Sequence, residues 1–516
     1  MSMSLPGKFP GGLTLEGYKS LSNQRPIRFA GLPARLVIPL RQRNGEIARP
    51  AVNVGDRVLR GSLIAGGEHP LEPPIHASSS GQVVAIEDHA IPHPSGISCR
   101  CIFIETDGLD ESLPSLPSLD VANCSLADLL DRVHQAGIVG LGGAVFPTAA
   151  KLLSGEYAAD TLILNGAECE PYISCDDRLI RERAEELLRG ADLLRRCLGC
   201  STAIIAVEGD MRPAQEALRA ATESSGLRAI KTLQVPTRYP AGGEKQLIQL
   251  LAGREVPSGS LPASIGVICL NVASVAAIYR AATLGEKLDS RIVTITGDGV
   301  QTPQNLEVRL GTPISFLIAQ CGGYTDQARY LTVGGPMMGY TVESDALPVT
   351  PSVNAILVRN GVNPVLGYNP QPCIRCGACA EVCPASLLPQ QLYWHAHARQ
   401  LKQALDHHLS DCIECGCCDV VCPSHIPLVR EFRQAKQAIQ AEQVARDNAA
   451  HARMRFEARE ARKLQEQRDR ELAAQQRKAD LDRGATARIQ EALERARQKR
   501  ALKTPPTSEK PYEDDL

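Results

Sequence analysis

Nine of the eighteen cysteines lie between Cys373 and Cys422. The segment CIRCGACAEVCP sets Cys373, Cys376, Cys379 and Cys383 at C-x2-C-x2-C-x3-C before Pro384, and CIECGCCDVVCP repeats the pattern with Cys412, Cys415, Cys418, Cys422 and Pro423. Three thiolates two residues apart wrap a tight loop around one face of a four-iron cluster, while the fourth, held beyond the loop, reaches the other cluster. The ligand sets therefore cross. Cys373, Cys376, Cys379 and Cys422 are expected on one [4Fe-4S] cluster, and Cys412, Cys415, Cys418 and Cys383 on the second. Gly377 and Gly416 leave the backbone room to approach the cluster sulfurs. C-x2-C pairs also suit zinc, but zinc gives no reason for a third cysteine at the same spacing twice, or for both prolines. Cys417 stands outside the repeat and reads as a bystander. Cys99 and Cys101 have no partner pattern and read as buried thiols.

A second chemical feature is the run GIVGLGGAVFPTAAKL, from Gly137 to Leu152. Glycines at 140, 142 and 143 ahead of a helix let backbone amides approach an anion, and Lys151 supplies a counter-charge. Alone, the loop reads equally well as a packing turn. It is not the G-x-G-x-x-G fingerprint, because Val145 takes the third glycine position. The neighbouring segment NGAECEPYISCDDR follows an apolar strand, and its closely spaced Glu168 and Glu170 suit a binding loop better than a core. No catalytic acid, base or nucleophile is assigned.

The elements that must hold these groups are legible in the patterning. The chain has 516 residues, which against roughly 100–200 per domain predicts several domains. Residues 30 to 106 contain β-type runs (RLVIPL, VGDRVLRGSLIA, GQVVAI, RCIFIE) between Gly, Pro and Asn turns. ESLPSLPSLD is a linker. From Ser125 to Glu286, apolar strands (TLILNGA, AIIAVEG, AIKTLQV, GVICLN) alternate with amphipathic helices, predicting an α/β layer with a mostly parallel sheet. Arg291 to Gly323 returns to β-type sequence. Ala441 to Leu516 holds 18 Lys or Arg and 15 Asp or Glu without a sustained apolar seam, and reads as a solvated helix with frayed ends.

Composition excludes several classes. A net charge of -2 and 4% aromatic residues with one tryptophan, Trp394, argue against a nucleic-acid surface. The least polar stretch, GVICLNVASVAAIY, is 14 residues long and contains Asn271, whereas a spanning helix needs about 20. No transmembrane segment is expected, and the N-terminus shows no secretory signal, so a cytoplasmic location is the expectation.

Several of these segments resemble known families. VNVGDRVLRGSLIA paired with IHASSSGQVVAIED resembles the barrel-sandwich hybrid of lipoyl and biotinyl carriers, but Ile75 to Glu87 contains no lysine, so a structural module is expected. Arg291 to Gly323 resembles the ligand-binding β-grasp (SLBB-like) module found beside flavin domains. GLGGAVFPTAAKL resembles the FMN-binding loop of the flavin subunit of respiratory NADH dehydrogenases, NGAECEP its acidic loop, and YPAGGEKQL (Tyr239 to Leu247) its nicotinamide-side loop. With the double ferredoxin repeat behind them, residues 5 to 435 resemble the C subunit of the Rnf electron-transport complex.

That resemblance implies a multidomain α+β chain. It comprises a barrel-sandwich module at 1–110, an α/β FMN and NADH domain at 121–286, an SLBB-like module at 287–350, a double [4Fe-4S] ferredoxin-like helical domain at 365–435, and a charged helical or disordered tail at 436–516. It implies that Gly140, Gly142, Gly143, Lys151, Asn165, Glu168 and Asn271 line a non-covalent FMN, that Glu170, Tyr239 and Glu244 face NADH, and that Phe146 lies near the flavin ring. Leu141 stands where the dehydrogenase loop carries an arginine and Val145 where it has a glycine, which bears on phosphate affinity and stacking room. The implied function is a peripheral subunit at the cytoplasmic face of the bacterial inner membrane. It would be bound to integral-membrane subunits and a ferredoxin-like subunit of one ion-translocating complex, and coupled to soluble ferredoxin or flavodoxin. A flavin between a two-electron nicotinamide and one-electron clusters fits this parts list. The rivals are a soluble cobalamin-reductase-type iron-sulfur flavoprotein and a flavin-free iron-sulfur conduit or scaffold.

Overall fold

Strands Arg35–Pro39, Ser98–Thr106, Gly81–Ala90 and Arg57–Val58 form, in that order, an antiparallel sheet, and Leu63–Ala65 pairs with Ile75–His76 in a second. The computed structural model describes residues 5–41, 47–67, 69, 71–154, 159–361 and 369–502. The two sheets enclose Leu36, Ile38, Ile64, Val83, Ile102 and Ile104, the inward-facing half of the alternation seen in RLVIPL and RCIFIE. Where a carrier exposes a lysine, this module buries Ser78, Ser79 and Ser80. Ser79 donates to Asp110 at 2.8 Å and Ser80 to Asp107 at 2.6 Å.

The paired strands of the β module run from Arg35 to Thr106. Residues 5–29 run along other parts of the chain: Leu13 bridges Tyr239, Asn23 donates to Asp177 at 2.9 Å, and Arg28–Phe29 joins the edge of a later sheet beside Gln304–Arg309. The reason is polar. Lys19 is buried and needs its counter-ion Glu208 at 3.3 Å, which only the α/β domain supplies.

In the α/β domain the strand order is Ile230–Val235, Thr202–Glu208, Thr161–Gly166, Val267–Asn271, all parallel. Both faces are covered, which is why these strands read as near-continuous apolar runs. Leu162, Leu164, Ile205 and Ile268 meet the helices Cys175–Glu182, Ala184–Cys197 and Val272–Leu284, while Ile163, Ile204 and Val267 meet Glu244–Ala252. The strand order reverses between Thr161–Gly166 and Val267–Asn271, and ligands of open parallel sheets bind at the carboxyl ends beside such a reversal. Asn165 and Asn271 are register partners at that place. Asn271 also splits the apolar run GVICLNVASVAAIY, since its side chain accepts from Ala273 N at 2.9 Å and starts the helix Val272–Leu284.

The third module is a six-stranded mixed sheet with the helix Ile314–Gln320. It extends past the expected limit of 350: Ala355–Arg359, buried at four of five positions, lies between Ser290–Thr296 and Tyr330–Val333 and completes the sheet. Short helices Ala378–Glu381, Pro389–His397, Leu401–Asp406 and Cys417–Val420 make up the cysteine-rich region.

The last helix, Leu428–Ala501, begins inside that region, ahead of the expected 436, because Leu428, Val429, Phe432 and Ala435 are buried. From Gln437 the chain is a unit of its own, and every residue from Ala441 to Leu502 is exposed. Ion pairs one turn apart, such as Arg446 with Glu442 and Arg453 with Glu457, line it, each worth only ~0.2–0.5 kcal/mol. Residues 503–516 of the expected tail lie outside the described residues. Among the described residues no helix is long and apolar enough to cross a membrane.

Candidate functional site

The glycine loop is pinned at both ends and open in the middle. Gly140 N donates to the carbonyl of Phe146 at 2.8 Å, Leu141 N to Ser274 Oγ at 2.9 Å and Thr148 N to Ile138 O at 3.2 Å. Between these ties Gly142, Gly143 and Ala144 are exposed, and among the described residues their amides donate to no protein acceptor. Gly143 sits at φ 104° and faces open space, a conformation that side chains rarely adopt. Val145 is buried at φ 51°, a left-handed backbone that costs a β-branched residue roughly 1–2 kcal/mol. Free amides at a turn leading into the helix Thr148–Leu153 form an anion cradle. The residues present therefore fit a flavin phosphate.

Lys151 on that helix pairs with Glu244, the first residue of Glu244–Ala252. This contact joins the glycine loop to the Tyr239–Leu247 segment. Asn165 ties the same segment from beneath, donating to Gly242 O at 2.8 Å and accepting from Ala167 N at 3.1 Å. Asn271 packs against Gly142 and donates to Asp176 at 2.6 Å. Gly140, Gly142, Gly143, Phe146, Lys151, Asn165, Glu244 and Asn271 are thus gathered at the carboxyl edge of the sheet.

Three expected site residues point elsewhere. Glu168 is turned inward, where its carboxylate accepts from Asp176 N at 3.0 Å and Asp177 N at 3.3 Å, capping the helix Cys175–Glu182. Burial and the neighbouring Asp176 push its carboxyl up to about 8, with Lys19 opposing. Burial likewise raises Asp176 to about 6. Lys19 is held charged above its usual range, because Glu208, Glu168 and Asp210 outweigh its desolvation. Glu170 does not face an open nucleotide site. Its Oε1 accepts from Met337 N at 2.7 Å and Met338 N at 2.9 Å in the third module, and burial raises its carboxyl to about 7. Tyr239 is buried, and its hydroxyl donates to the carbonyl of Cys415 at 2.6 Å. Glu170 and Tyr239 brace the α/β domain against its neighbours.

Sequence reasoning missed Lys19, Asp176, Gln246 and the Met337–Met338 turn. Asp176 had a signal, since the acidic pair of CDDR begins a helix. Lys19 had none: a lysine in a polar stretch gives no hint of burial.

The cysteines gather around two cavities. One is lined by Cys373, Cys376, Cys379 and Cys422 with Tyr393 and Ile426, the other by Cys383, Cys412, Cys415 and Cys418 with Leu392 and Phe432. Cys417 also lines the second. Gly377 and Gly416 take positive φ and make the tight loop turns. Burial pushes the Cys412 thiol up to about 11 and the Cys418 thiol higher. Thiolates in these apolar pockets need a bound cation to offset desolvation, which an iron–sulfur core supplies. Four convergent sulfurs per cavity fit one cubane each.

Known families match this layout in order. Residues 7–109 match the RnfC barrel sandwich hybrid domain, 133–280 the Nuo51 FMN-binding domain, 292–341 the SLBB domain and 372–426 the 4Fe-4S dicluster domain. The flavin domain and the two [4Fe-4S] sites are thereby identified. The chain is 44% identical to the C subunit of the ion-translocating oxidoreductase complex of Pectobacterium atrosepticum, over 95% of this chain and 70% of that protein. It is 45% identical to the C subunit of the same complex in Pseudomonas aeruginosa, over 89% of this chain and 59% of that protein. The chain thus spans about three-fifths to seven-tenths of the length of these relatives. An NAD+-reducing [NiFe]-hydrogenase structure in the H2-reduced state is similar at 21% identity and a TM-score of 0.45, over 63% of this chain and 65% of that one.

Proposed function

The chain belongs to the family of the C subunits of ion-translocating oxidoreductase complexes, and from this premise we propose that it passes electrons between NADH and two [4Fe-4S] clusters by way of FMN. The observation that carries the reading is the juxtaposition at the sheet edge. One segment, Tyr239 to Gln246, touches the glycine-loop helix through Glu244 and Lys151, and the cysteine region through Tyr239 and Gln246. Bound FMN supplies the exchange between a two-electron hydride and single electrons.

The chain's own residues hold and orient. The free amides of Gly142 to Ala144 and the Lys151 ammonium receive the phosphate, with Asn271 beside them. Glu244 accepts hydrogen bonds from the nucleotide ribose or carboxamide. Cys373, Cys376, Cys379 and Cys422 ligate one cluster, and Cys383, Cys412, Cys415 and Cys418 the other. The domain limits that go with this reading are 35–106, 121–286, 287–359, 369–436 and the charged helix beyond. The subunit docks on integral-membrane and ferredoxin-like subunits at the cytoplasmic face, and the complex exchanges electrons with soluble ferredoxin or flavodoxin.

The test is anaerobic purification of the full chain, with iron, sulfide and flavin measured per chain, followed by stopped-flow mixing with NADH. Flavin bleaching followed by cluster reduction is expected. Flavin that NADH does not bleach, in protein whose clusters dithionite reduces, removes the nicotinamide from the reading.

A further inference from the structure

Arg291, in the strand Ser290–Thr296 of the third module, is 5% exposed and reaches the glycine loop from its buried side. Its donors go to backbone carbonyls alone: Nε to Ile292 O at 3.2 Å, Nη1 to Pro351 O, and Nη2 to Leu141 O at 3.3 Å. Among the described residues no carboxylate pairs with it. Asp176, whose field reaches it, gives an oxygen to Asn271 at 2.6 Å instead. A guanidinium stays charged inside a protein, and a buried charge without a counter-ion is costly.

The acceptor Leu141 O belongs to the same peptide unit as the Gly142 amide. That peptide is trans, and a trans peptide sets its C=O and N–H on opposite sides. Tying the carbonyl inward therefore turns the Gly142 N–H outward, to the exposed side where the amides of Gly142, Gly143 and Ala144 meet no protein acceptor among the described residues. A donor on the carbonyl also polarises the peptide and strengthens the N–H at its other end. Leu141 is held on its other side as well, its own N donating to Ser274 Oγ at 2.9 Å. Arg132 is the contrast. It is equally buried and also donates only to carbonyls, Ala281 O at 2.8 Å and Pro117 O at 2.6 Å, but neither belongs to the glycine loop.

Resting on the placement of the flavin phosphate at Gly142 to Ala144, we infer that Arg291 is a positioning residue of that site and sets its selectivity for a phosphorylated flavin over riboflavin. It aims the Gly142 N–H outward at the phosphate and places a positive charge behind the loop. A phosphate monoester carries roughly two negative charges at neutral pH, so its arrival supplies the counter-charge that the protein withholds from Arg291. The third module thereby completes a site whose other residues all belong to the α/β domain. Lys151 acts on the phosphate directly, whereas Arg291 acts through the Leu141–Gly142 peptide.

The experiment uses the full chain with both clusters in place and the flavin removed. The protein is titrated with FMN and with riboflavin, read by flavin fluorescence, and inorganic phosphate is added as a competitor of FMN. Arg291→Met should raise the FMN dissociation constant at least about tenfold, as loss of a charge-assisted contact does. The inhibition constant of phosphate should rise by a similar factor, and the riboflavin dissociation constant should stay at the parental value. Arg132→Met, which removes an equally buried arginine, should leave the ratio of riboflavin to FMN affinity unchanged. Unchanged FMN and phosphate affinity in Arg291→Met protein, or an equal loss for FMN and riboflavin, overturns the proposal. If Arg291→Met protein does not fold, Arg291→Lys decides. It keeps the charge but not the fork, so it should weaken FMN and phosphate together by a smaller factor with riboflavin unmoved, and an unchanged ratio overturns the assignment. Lys151→Ala separates this proposal from the reading beneath it. If that variant lowers the ratio and Arg291→Met does not, only the role of Arg291 fails, and if neither lowers it, the phosphate does not lie at this loop and both fail.

Discussion

Lys151 and Glu244, 93 residues apart, meet in an ion pair that closes the gap between the glycine loop and the Tyr239–Leu247 segment. Both side chains are partly exposed, so the pair itself adds at most ~1 kcal/mol to stability. Its value lies in placement, because the cation stands on the helix that follows the free amides of Gly142 to Ala144 while the anion begins a helix that also carries Gln246. In the proposed site a phosphate arriving at the amides would compete with Glu244 for Lys151, which would couple the two subsites electrostatically.

Lys151→Ala should weaken FMN retention. Loss of a charge-assisted phosphate contact typically costs ~1.5–3 kcal/mol, enough for at least a tenfold rise in the dissociation constant, read from flavin fluorescence after ultrafiltration. The substitution also leaves the Glu244 carboxylate unpaired beside the phosphate, so Lys151→Ala with Glu244→Gln should lose less flavin than Lys151→Ala alone. A double variant no better than the single one shows that the pair does not face the phosphate.

Glu244→Gln by itself should keep FMN and both clusters but slow flavin bleaching by NADH. The carboxylate stands at the first turn of its helix behind Gly242 and Gly243, and both glycines are crowded by neighbours that a side chain would strike. Stopped-flow absorbance under anaerobic conditions reads the rate, with dithionite reduction of the clusters as the control. Bleaching at the parental rate and with the parental NADH dependence moves the nucleotide elsewhere.

Purified protein should hold about eight irons per chain, from two four-iron clusters. Cys383→Ala should damage the cluster held with Cys412, Cys415 and Cys418 more than the one held with Cys373, Cys376 and Cys379, although Cys383 is next to the latter set in sequence. EPR of the dithionite-reduced variant distinguishes the signals. Loss of the sequence-near cluster alone contradicts the crossed sets.

The cysteine sets and the sheet were legible because each rests on short-range pattern: fixed ligand spacing, and strand and helix periods of the α/β layer. Asn271 was placed by the family resemblance alone, although an asparagine between an apolar strand and an apolar helix suits a cap. Glu168, Glu170 and Tyr239 sit in the same informative segments, yet Glu168 turns back to the helix start at Asp176 and Asp177, and the targets of Glu170 and Tyr239 are far away, at Met337 and Cys415. No local pattern encodes which side of a loop a carboxylate takes when a helix N-terminus and an open cleft both compete for it. The N-terminal residues fall within the family match over 7–109, yet nothing in their sequence marks that a single buried Lys19 ties them to Glu208.

Glu170 gives a pH-dependent prediction with a definite sign. Burial, the largest cause, raises its carboxyl from 4.5 to about 7 in the folded chain, against the lowering effect of the Met338 and Met337 amides. A carboxyl with a raised folded pKa binds its proton more tightly in the native state. Its contribution to stability is therefore fully present below about pH 4.5 and is lost as pH rises through about 7. Glu170→Gln keeps an oxygen for both amides and has nothing to ionise, so it should match the parental protein near the acid end of this window and be the more stable one above it. Hydrogen exchange in Tyr330–Val333 and Tyr340–Val342, corrected for the intrinsic pH dependence of exchange, reports on the turn that Glu170 holds. Protection in the parental protein should fall with rising pH and stay flat in the variant. Parallel profiles would mean that Glu170 keeps one charge state across the window, and a variant less protected at every pH would mean that the ionised carboxylate is what holds Met337 and Met338.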